Sequence, residues 1–233
     1  MGAMEATEAM DWGGVRERVE ALARTDRARR IFGAWDEYGA IGHHFRLAAP
    51  LSEPQVGEVE EQWGISLPAD YRGFLLEVGA GGAGPGYGLN VVARQGAGWR
   101  WQAHDRMRHD RLRVPSPSAA LSERMQAEHA GREPVEAEFE DEDAFLEANR
   151  IWLEEDEAVF EWTTCGAVNL CHEGCGYCYW LIVSGPERGS MWLDERPGDG
   201  TFSPLGEPQS RVSFAAWYLN WLETSESSAA VRR

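Results

Sequence analysis

Apolar side chains recur every three to four positions in several segments, which is the spacing of a helix with one buried face. The clearest helix begins at a capping box made by Ser52 and Gln55 and ends at Gly64. A second helix follows Pro68 and ends at Gly79. Further helices are predicted at residues 12–32, 119–130, in part of 133–161, and from 213 to 222.

Alternating or continuous apolar runs predict strands, mainly in the second half of the chain. Two strands are predicted within residues 88–103, and single strands at 166–172, 177–184 and 190–194. The strands on either side of Glu173 and Gly174 are expected to pair across a turn there. Because helices and strands come in blocks and do not alternate, the fold class is predicted to be α+β.

The chain has 233 residues, which is enough to bury a proper core. We expect residues 1–11 to form a disordered N-terminus and residues 12–222 to form one domain. Residues 133–161 are interpreted as an acidic insertion in that domain, and residues 223–233 as a frayed C-terminal tail. The chain shows no internal repeat.

Charge is unevenly distributed along the chain. The formal net charge is −17, from 22 basic and 39 acidic residues. Residues 133–161, called the acidic segment below, hold 13 acids and one arginine, Arg150, and so contribute −12. An acidic chain repels nucleic acid and anionic membranes on average, so neither is expected as a partner, whereas a basic protein is attracted.

The acidic segment is open to two interpretations. A run of charge is commonly a solvated face, but dense negative charge also speeds encounter with a basic protein. Phe145, Ile151, Trp152 and Leu153 give the segment an apolar face, so we expect a docked helix, and this favours the second interpretation. The candidate partner-binding residues are Glu138, Glu140, Asp141, Glu142, Asp143, Glu154, Glu155 and Asp156.

Four cysteines lie close together in sequence, at Cys165, Cys171, Cys175 and Cys178. Such a group could hold zinc, which prefers soft ligands in a tetrahedral arrangement. The spacing is irregular, however, and thiols within strands often pack as small apolar side chains. Zinc is therefore only a weak candidate. We expect no metal, no cofactor and no catalytic residues.

Two further motifs carry competing interpretations. Gly79, Gly81 and Gly84 match a phosphate-binding glycine pattern, but they follow a helix instead of a strand, so a structural turn is favoured. Residues 94–113 hold six arginines with Trp99 and Trp101 among them. That stretch could grip single-stranded nucleic acid, form an ordinary solvated edge with its tryptophans in the core, or lie against the acidic segment.

The chain carries no apolar run of the roughly 20 residues that a membrane-spanning helix needs. Its first residues include no basic and apolar pattern typical of a secretory signal. A cytoplasmic location is therefore expected, and the cysteines would then be reduced thiols.

Several motifs resemble, in order, those of the SUKH superfamily, a bacterial group related to yeast cell-wall synthesis regulators. Residues 51–75, with Pro68 and Tyr71, followed by the glycine-rich loop, resemble the opening motif of that superfamily. Residues 171–177 resemble its central hairpin, and residues 184–194 the next turn and strand. Residues 214–222 resemble its closing helix. The resemblance extends over roughly residues 12–222.

This resemblance implies a twisted antiparallel sheet packed by helices, in one SUKH-type domain. It also implies a non-enzymatic immunity protein that binds a cognate toxin and masks its active site. Toxins of this kind often act on nucleic acid through basic grooves, which an acidic surface could fill. The resemblance assigns no role to the acidic segment, so its role as the binding surface is a separate inference. The alternatives are a scaffold or regulatory adaptor with a non-toxin partner and, more weakly, a zinc-dependent module.

Overall fold

The structure is a computed structural model that describes residues 10–35, 42–103 and 107–230. Residues 1–9, which make up nearly all of the predicted disordered N-terminus, lie outside the described residues. The helices are α1 (Val15–Leu22), α2 (Glu53–Trp63), α3 (Ala69–Glu77), α4 (Ala119–Ala130), α5 (Glu142–Thr163) and α6 (Phe214–Ala230). The strands are β1 (Val92–Gln95), β2 (Gly98–Trp101), β3 (Ala167–Gly174), β4 (Tyr177–Ile182), β5 (Met191–Asp194) and β6 (Phe202–Pro204).

The strands form two antiparallel sheets, which confirms the predicted α+β class. The larger sheet has the order β3-β4-β5-β6, in which each strand pairs with its neighbour in sequence. The smaller sheet pairs β1 with β2. Consecutive strands can pair this way because short turns are enough to connect antiparallel neighbours.

Helix α2 forms where its sequence signals predicted. The backbone N–H of Ser52 donates to Gln55 Oε1 at 2.8 Å, which completes the capping box. Gly64 ends the helix with φ at 63°, a left-handed conformation that glycine adopts without steric cost. The buried residues Val56 and Val59 face the core.

An aromatic core joins the residue Trp12, just before α1, to helices α3 and α6. It consists of the fully buried rings of Trp12, Phe74, Phe214 and Tyr218, called the aromatic core below. The Phe74 ring centroid lies 5.4 Å from that of Trp12, 5.2 Å from that of Phe214 and 4.7 Å from that of Tyr218. Edge-to-face pairs of this kind add to the stability gained from burial. The helices are therefore fixed to one another by ring packing.

The glycine-rich loop packs its backbone against the edge of β3. The N–H of Tyr87 donates to the carbonyl of His172 at 2.9 Å, and that of Asn90 donates to Leu170 at 2.7 Å. A Cβ at Gly86, where φ is 56°, would stand 2.5 Å from the His172 oxygen. The glycines thus permit close approach between two backbones, as the structural-turn interpretation predicted.

Three predicted boundaries were wrong. The first helix covers only Val15–Leu22, and the chain turns after it instead of continuing to residue 32. The hairpin turn lies at Cys175 and Gly176, two residues later than predicted, and both residues have positive φ, as a tight hairpin turn requires. The last helix continues past residue 222 to Ala230, through part of the expected frayed tail, because buried Ser225 still faces the core.

Strand β6 was not predicted. It has only three residues, too few to show an alternating pattern, and its pairing is reinforced from α4. The side-chain amide of Gln126 accepts from the N–H of Phe202 at 2.7 Å and donates to its carbonyl at 2.9 Å. Gln126 therefore occupies hydrogen-bonding groups at the sheet edge that a further strand would otherwise use.

Candidate functional site

The acidic segment divides into an irregular part and a helix. Residues 133–141 contain one short 3-10 turn, Glu136–Glu138, and α5 then runs from Glu142 to Thr163. The side chain of Asp141 accepts from the N–H of Asp143 at 3.1 Å and so caps the helix. The prediction of a docked acidic helix in part of the acidic segment is therefore confirmed, and the helix begins at residue 142.

One face of α5 is packed against α4. The ring of Trp152 stacks on His129, with centroids 4.7 Å apart and planes 8° apart, and its Nε1–H donates to the His129 carbonyl at 3.1 Å. Phe160, near the end of the helix, is buried against Trp180 of the large sheet. These contacts fix the helix so that its other face points toward solvent.

The predicted partner-binding acids fall into two groups with different surroundings. The first group is exposed, and within the described part of the chain none of its members forms an ion pair. It consists of Glu138, Glu140, Asp141, Glu142 and Asp143. These five side chains lie around the N-terminal end of α5 and form a compact negative patch, called the acidic patch below.

The second group is engaged locally. Glu154 pairs with Arg150, and Glu155 lies 2.9 Å from Arg132. Asp156 is half-buried, with its carboxylate 3.4 Å from Nε2 of His129. Because Glu154 stands eleven residues after Asp143 on α5, these three acids lie about 16 Å or more along the helix from the acidic patch. The eight predicted acids are thus not brought together as a single ridge.

Exposed apolar side chains beside the acidic patch were not predicted as part of the site. Six large apolar residues are exposed among the described ones, and four lie in the acidic segment. Leu146 and Leu153 are each 53% exposed, Val135 is 53% exposed and Ile151 is 45% exposed. Leu146 and Leu153 stand seven positions apart, on one face of α5. These two leucines together are called the apolar patch below.

The structure corrects the predicted apolar face of α5. Phe145 and Trp152 are half-buried, as the docked helix requires, but Ile151 and Leu153 are exposed. The helix carries two apolar stripes, one led by Phe145 and Trp152 and one by Leu146 and Leu153. Both repeat at seven residues, so the spacing alone could have revealed the second stripe, but only the position of α4 decides which is covered.

A groove of about 480 Å³ runs between residues 131–139 and α5. Phe139, Ile151 and Trp152 supply an apolar lining, and the acids Glu138 and Glu155 also line it. An apolar surface with carboxylates beside it suits long basic side chains, whose methylene stems pack on apolar atoms while the charged head stays hydrated.

The basic stretch at residues 94–113 does not present stacking rings to solvent. Trp99 and Trp101 are 4% and 2% exposed, so the nucleic-acid interpretation is wrong and the solvated-edge interpretation describes these rings. Arg94 pairs with Glu58 of α2. Of the acidic segment, only Glu161 meets a described arginine of this stretch, Arg108. Arg106, which was part of the predicted stretch, lies outside the described residues.

The four cysteines do not form a metal site. Cys165, Cys171 and Cys178 are buried, whereas Cys175 is exposed in the hairpin turn. Burial raises the pKa of the Cys171 thiol well above its ordinary value and also raises that of Cys165. Among the described residues, no group of three or more histidine, cysteine or carboxylate side chains could hold a metal ion.

Of the helices that the structure describes, none has both the length and the apolar character to cross a membrane.

Comparison with known proteins gives one match. The family model described as the SMI1 / KNR4 family (SUKH-1) matches residues 50–203. This range starts just before α2, includes the acidic segment and ends within β6, so it is narrower than the motif resemblance over residues 12–222. No curated protein and no solved structure matches the chain.

Proposed function

The chain belongs to the SMI1 / KNR4 family (SUKH-1), and from this membership we propose that it is a non-enzymatic immunity protein for a basic toxin. Members of this family are generally non-catalytic immunity or regulatory proteins. The proposed partner is a cognate toxin that acts on nucleic acid and therefore has a cationic substrate groove. The acidic patch would occupy that groove and mask the active site.

The observation that carries the proposal is the exposed surface of α5 and the residues just before it. There the acidic patch, whose members form no ion pair with a described residue, lies at the start of the helix that carries the half-exposed leucines of the apolar patch. Surface acids alone are common and keep proteins dispersed. Of the six exposed large apolar side chains among the described residues, four lie in the acidic segment, and this concentration favours a partner-binding role.

The two patches would contribute differently to binding. Dense negative charge attracts a basic surface over about 10 Å at 0.1 M salt and so mainly raises the association rate. Apolar side chains act only on contact, and their burial mainly lowers the dissociation rate. A toxin that is basic in its groove and apolar at its rim would use both.

The test is protection of cells that express the product of the adjacent gene. Co-expression of the wild-type protein should restore growth, and the toxin should be recovered with it in a pull-down. The diagnostic variant neutralises the acidic patch by E138Q, E140Q, D141N, E142Q and D143N. It should protect less, because its surface no longer attracts a cationic groove, whereas D141N still caps α5.

The matched control changes the same numbers of Glu and Asp residues at exposed positions elsewhere, by E17Q, D26N, E77Q, D199N and E207Q. Both variants raise the net charge by five, so only the position of the charge differs. Equal protection by the two variants would contradict the assignment of the acidic patch. An adjacent product that binds at this surface but harms no cell would support the regulatory-adaptor alternative.

A further inference from the structure

A cavity of about 280 Å³ lies away from the proposed toxin-binding surface, at the other end of α5. It is enclosed between the large sheet, the last turn of the helix at Phe160, and Pro197 of a short 3-10 turn. Pockets for drug-sized ligands begin at about 300 Å³, so a space of this size suits a single ring with a small substituent.

The sheet lines the cavity with two buried polar side chains. Asn169 of β3 and Trp180 of β4 stand directly opposite each other in the strand register, and each is 2% exposed. Trp180 Nε1 has no hydrogen-bond partner among the described residues, although a buried indole N–H usually finds one. The Asn169 side-chain oxygen accepts from Asn90 at 3.0 Å, so its NH2 is the group left to bind a further partner. Both groups are donors, so they suit an acceptor oxygen.

The rest of the lining consists of Phe160, His172, Gly176, Cys178, Asp194 and Pro197. The rings of Phe160 and Trp180 meet edge to face, with centroids 6.3 Å apart. Asp194, which also lines the cavity, receives two hydrogen bonds from Arg196, each 2.8 Å long. The Arg196 guanidinium lies 4.4 Å above the Phe160 ring. Since this carboxylate already has a bidentate partner, it presents little net charge, and a cationic ligand would gain little from it for its desolvation.

We propose that this cavity is a binding site for a small, uncharged, planar ring compound that bears a carbonyl oxygen. The ring packs against the side chains of Phe160 and Trp180 that line the cavity, and the oxygen accepts from the Trp180 indole and the Asn169 amide. An apolar pocket with a few convergent polar groups is the usual form of a small-molecule site. This small-molecule site does not depend on the proposed toxin binding, so either proposal can be disproved without the other.

The experiment is a titration of the ¹⁵N-labelled full chain, followed by NMR at the tryptophan indole signals. The probes are benzamide, benzoate and toluene, which share one ring but differ in carbonyl and charge. Benzamide should shift the Trp180 indole signal saturably, whereas benzoate and toluene should bind at least about tenfold more weakly. Absence of a saturable shift with benzamide, as expected of a cavity that holds only water, would overturn the proposal. So would toluene binding as tightly as benzamide.

Two variants distinguish the contribution of the Trp180 indole N–H to binding from that of its aromatic ring. W180F keeps an aromatic wall but removes the N–H, and it should weaken benzamide binding about tenfold while identifying the Trp180 signal. W192F is the matched control: Trp192 lies opposite Trp180 on β5, and its Nε1–H donates to Ser190 Oγ at 2.9 Å. It should leave benzamide affinity unchanged. Unchanged affinity in W180F would contradict the proposal.

A measurement on the unaltered protein covers the case in which W180F does not fold. Intermolecular nuclear Overhauser effects from benzamide to the rings of Phe160 and Trp180 would support the site. Effects only to residues outside the cavity would count against it.

Discussion

Apolar side chains are buried in the aromatic core but exposed on one face of α5. In the core, Phe74 is 0% exposed and contacts three other rings. On α5, Leu146 and Leu153 are both 53% exposed and lie beside a patch of acids. The first arrangement gains stability from burial, whereas the second gains none within this chain. The comparison separates residues that maintain the fold from residues available to a partner.

The largest expected effect is on the core. Phe74→Ala should lower the free energy of unfolding by about 3–5 kcal/mol, because it removes a fully buried ring and leaves a cavity. Leu153→Ala, the exposed counterpart, should change it by less than about 0.5 kcal/mol. Urea unfolding of both variants measures the contrast. Similar losses in the two would show that Leu153 is covered within the chain.

A second contrast concerns the loss of folding stability in acid, which we expect to come from His43 in the buried core and not from α5. Burial lowers the pKa of His43 from 6.5 to about 4, and its ring is packed against Phe45 and Trp221. Between these two pKa values the unfolded chain binds the proton more readily, so stability falls as the pH falls through this window. Unfolding free energy should drop by about 2 kcal/mol from pH 7 to pH 5.

The control for this effect is His43→Asn, whose side chain stays neutral at every pH in this range. In the wild type the Phe45 N–H donates to His43 Nδ1 at 3.0 Å, and the asparagine oxygen can accept the same hydrogen bond. The difference between wild type and this variant isolates the histidine from the carboxylates. An equal decline in both over this pH range would assign acid sensitivity elsewhere.

The third prediction concerns the apolar patch. The double variant L146A/L153A should dissociate from the toxin about tenfold faster, or about 1.4 kcal/mol, because buried contact area at the interface is lost. Its unfolding free energy should stay within about 0.5 kcal/mol of wild type. Surface plasmon resonance and urea unfolding check the two parts. An unchanged dissociation rate would exclude these leucines from the interface.

The smallest expected effect concerns the acidic patch. The five-residue neutralised variant should associate about fivefold more slowly at low salt, and the difference from wild type should shrink as salt is added. Stopped-flow mixing at several ionic strengths measures both. The variant with five scattered substitutions should keep a nearly wild-type rate, and a loss as large as that of the patch variant would point to net charge instead of local charge.

The sequence predicted those helices and strands correctly whose ends are determined by residues close to them in the chain. Ser52, Gln55 and Gly64 determine the ends of α2 through their own backbone contacts, so the prediction of this helix was accurate. Strand β6 depends on Gln126, 76 positions from Phe202, and no local pattern contains that information. Long-range pairing therefore set the limit for the fold.

The candidate site was predictable only in part, for a similar reason. Charge density located the acidic segment, but the partners of Glu155 and Asp156 lie on or just after α4, at Arg132 and His129. The same helix decides that Trp152 is packed and Leu153 is left exposed. Which residues of an amphipathic segment face a partner is a tertiary property, and a one-dimensional pattern leaves it open.

The central claim is that residues 133–157 form the binding surface. Hydrogen–deuterium exchange of this protein, alone and in complex with the adjacent gene's product, tests that claim most directly. The account predicts slower exchange in residues 133–157 on complex formation, with the aromatic core unchanged. Protection confined to the hairpin at residues 171–178 or to the glycine-rich loop, with residues 133–157 unaffected, would contradict it.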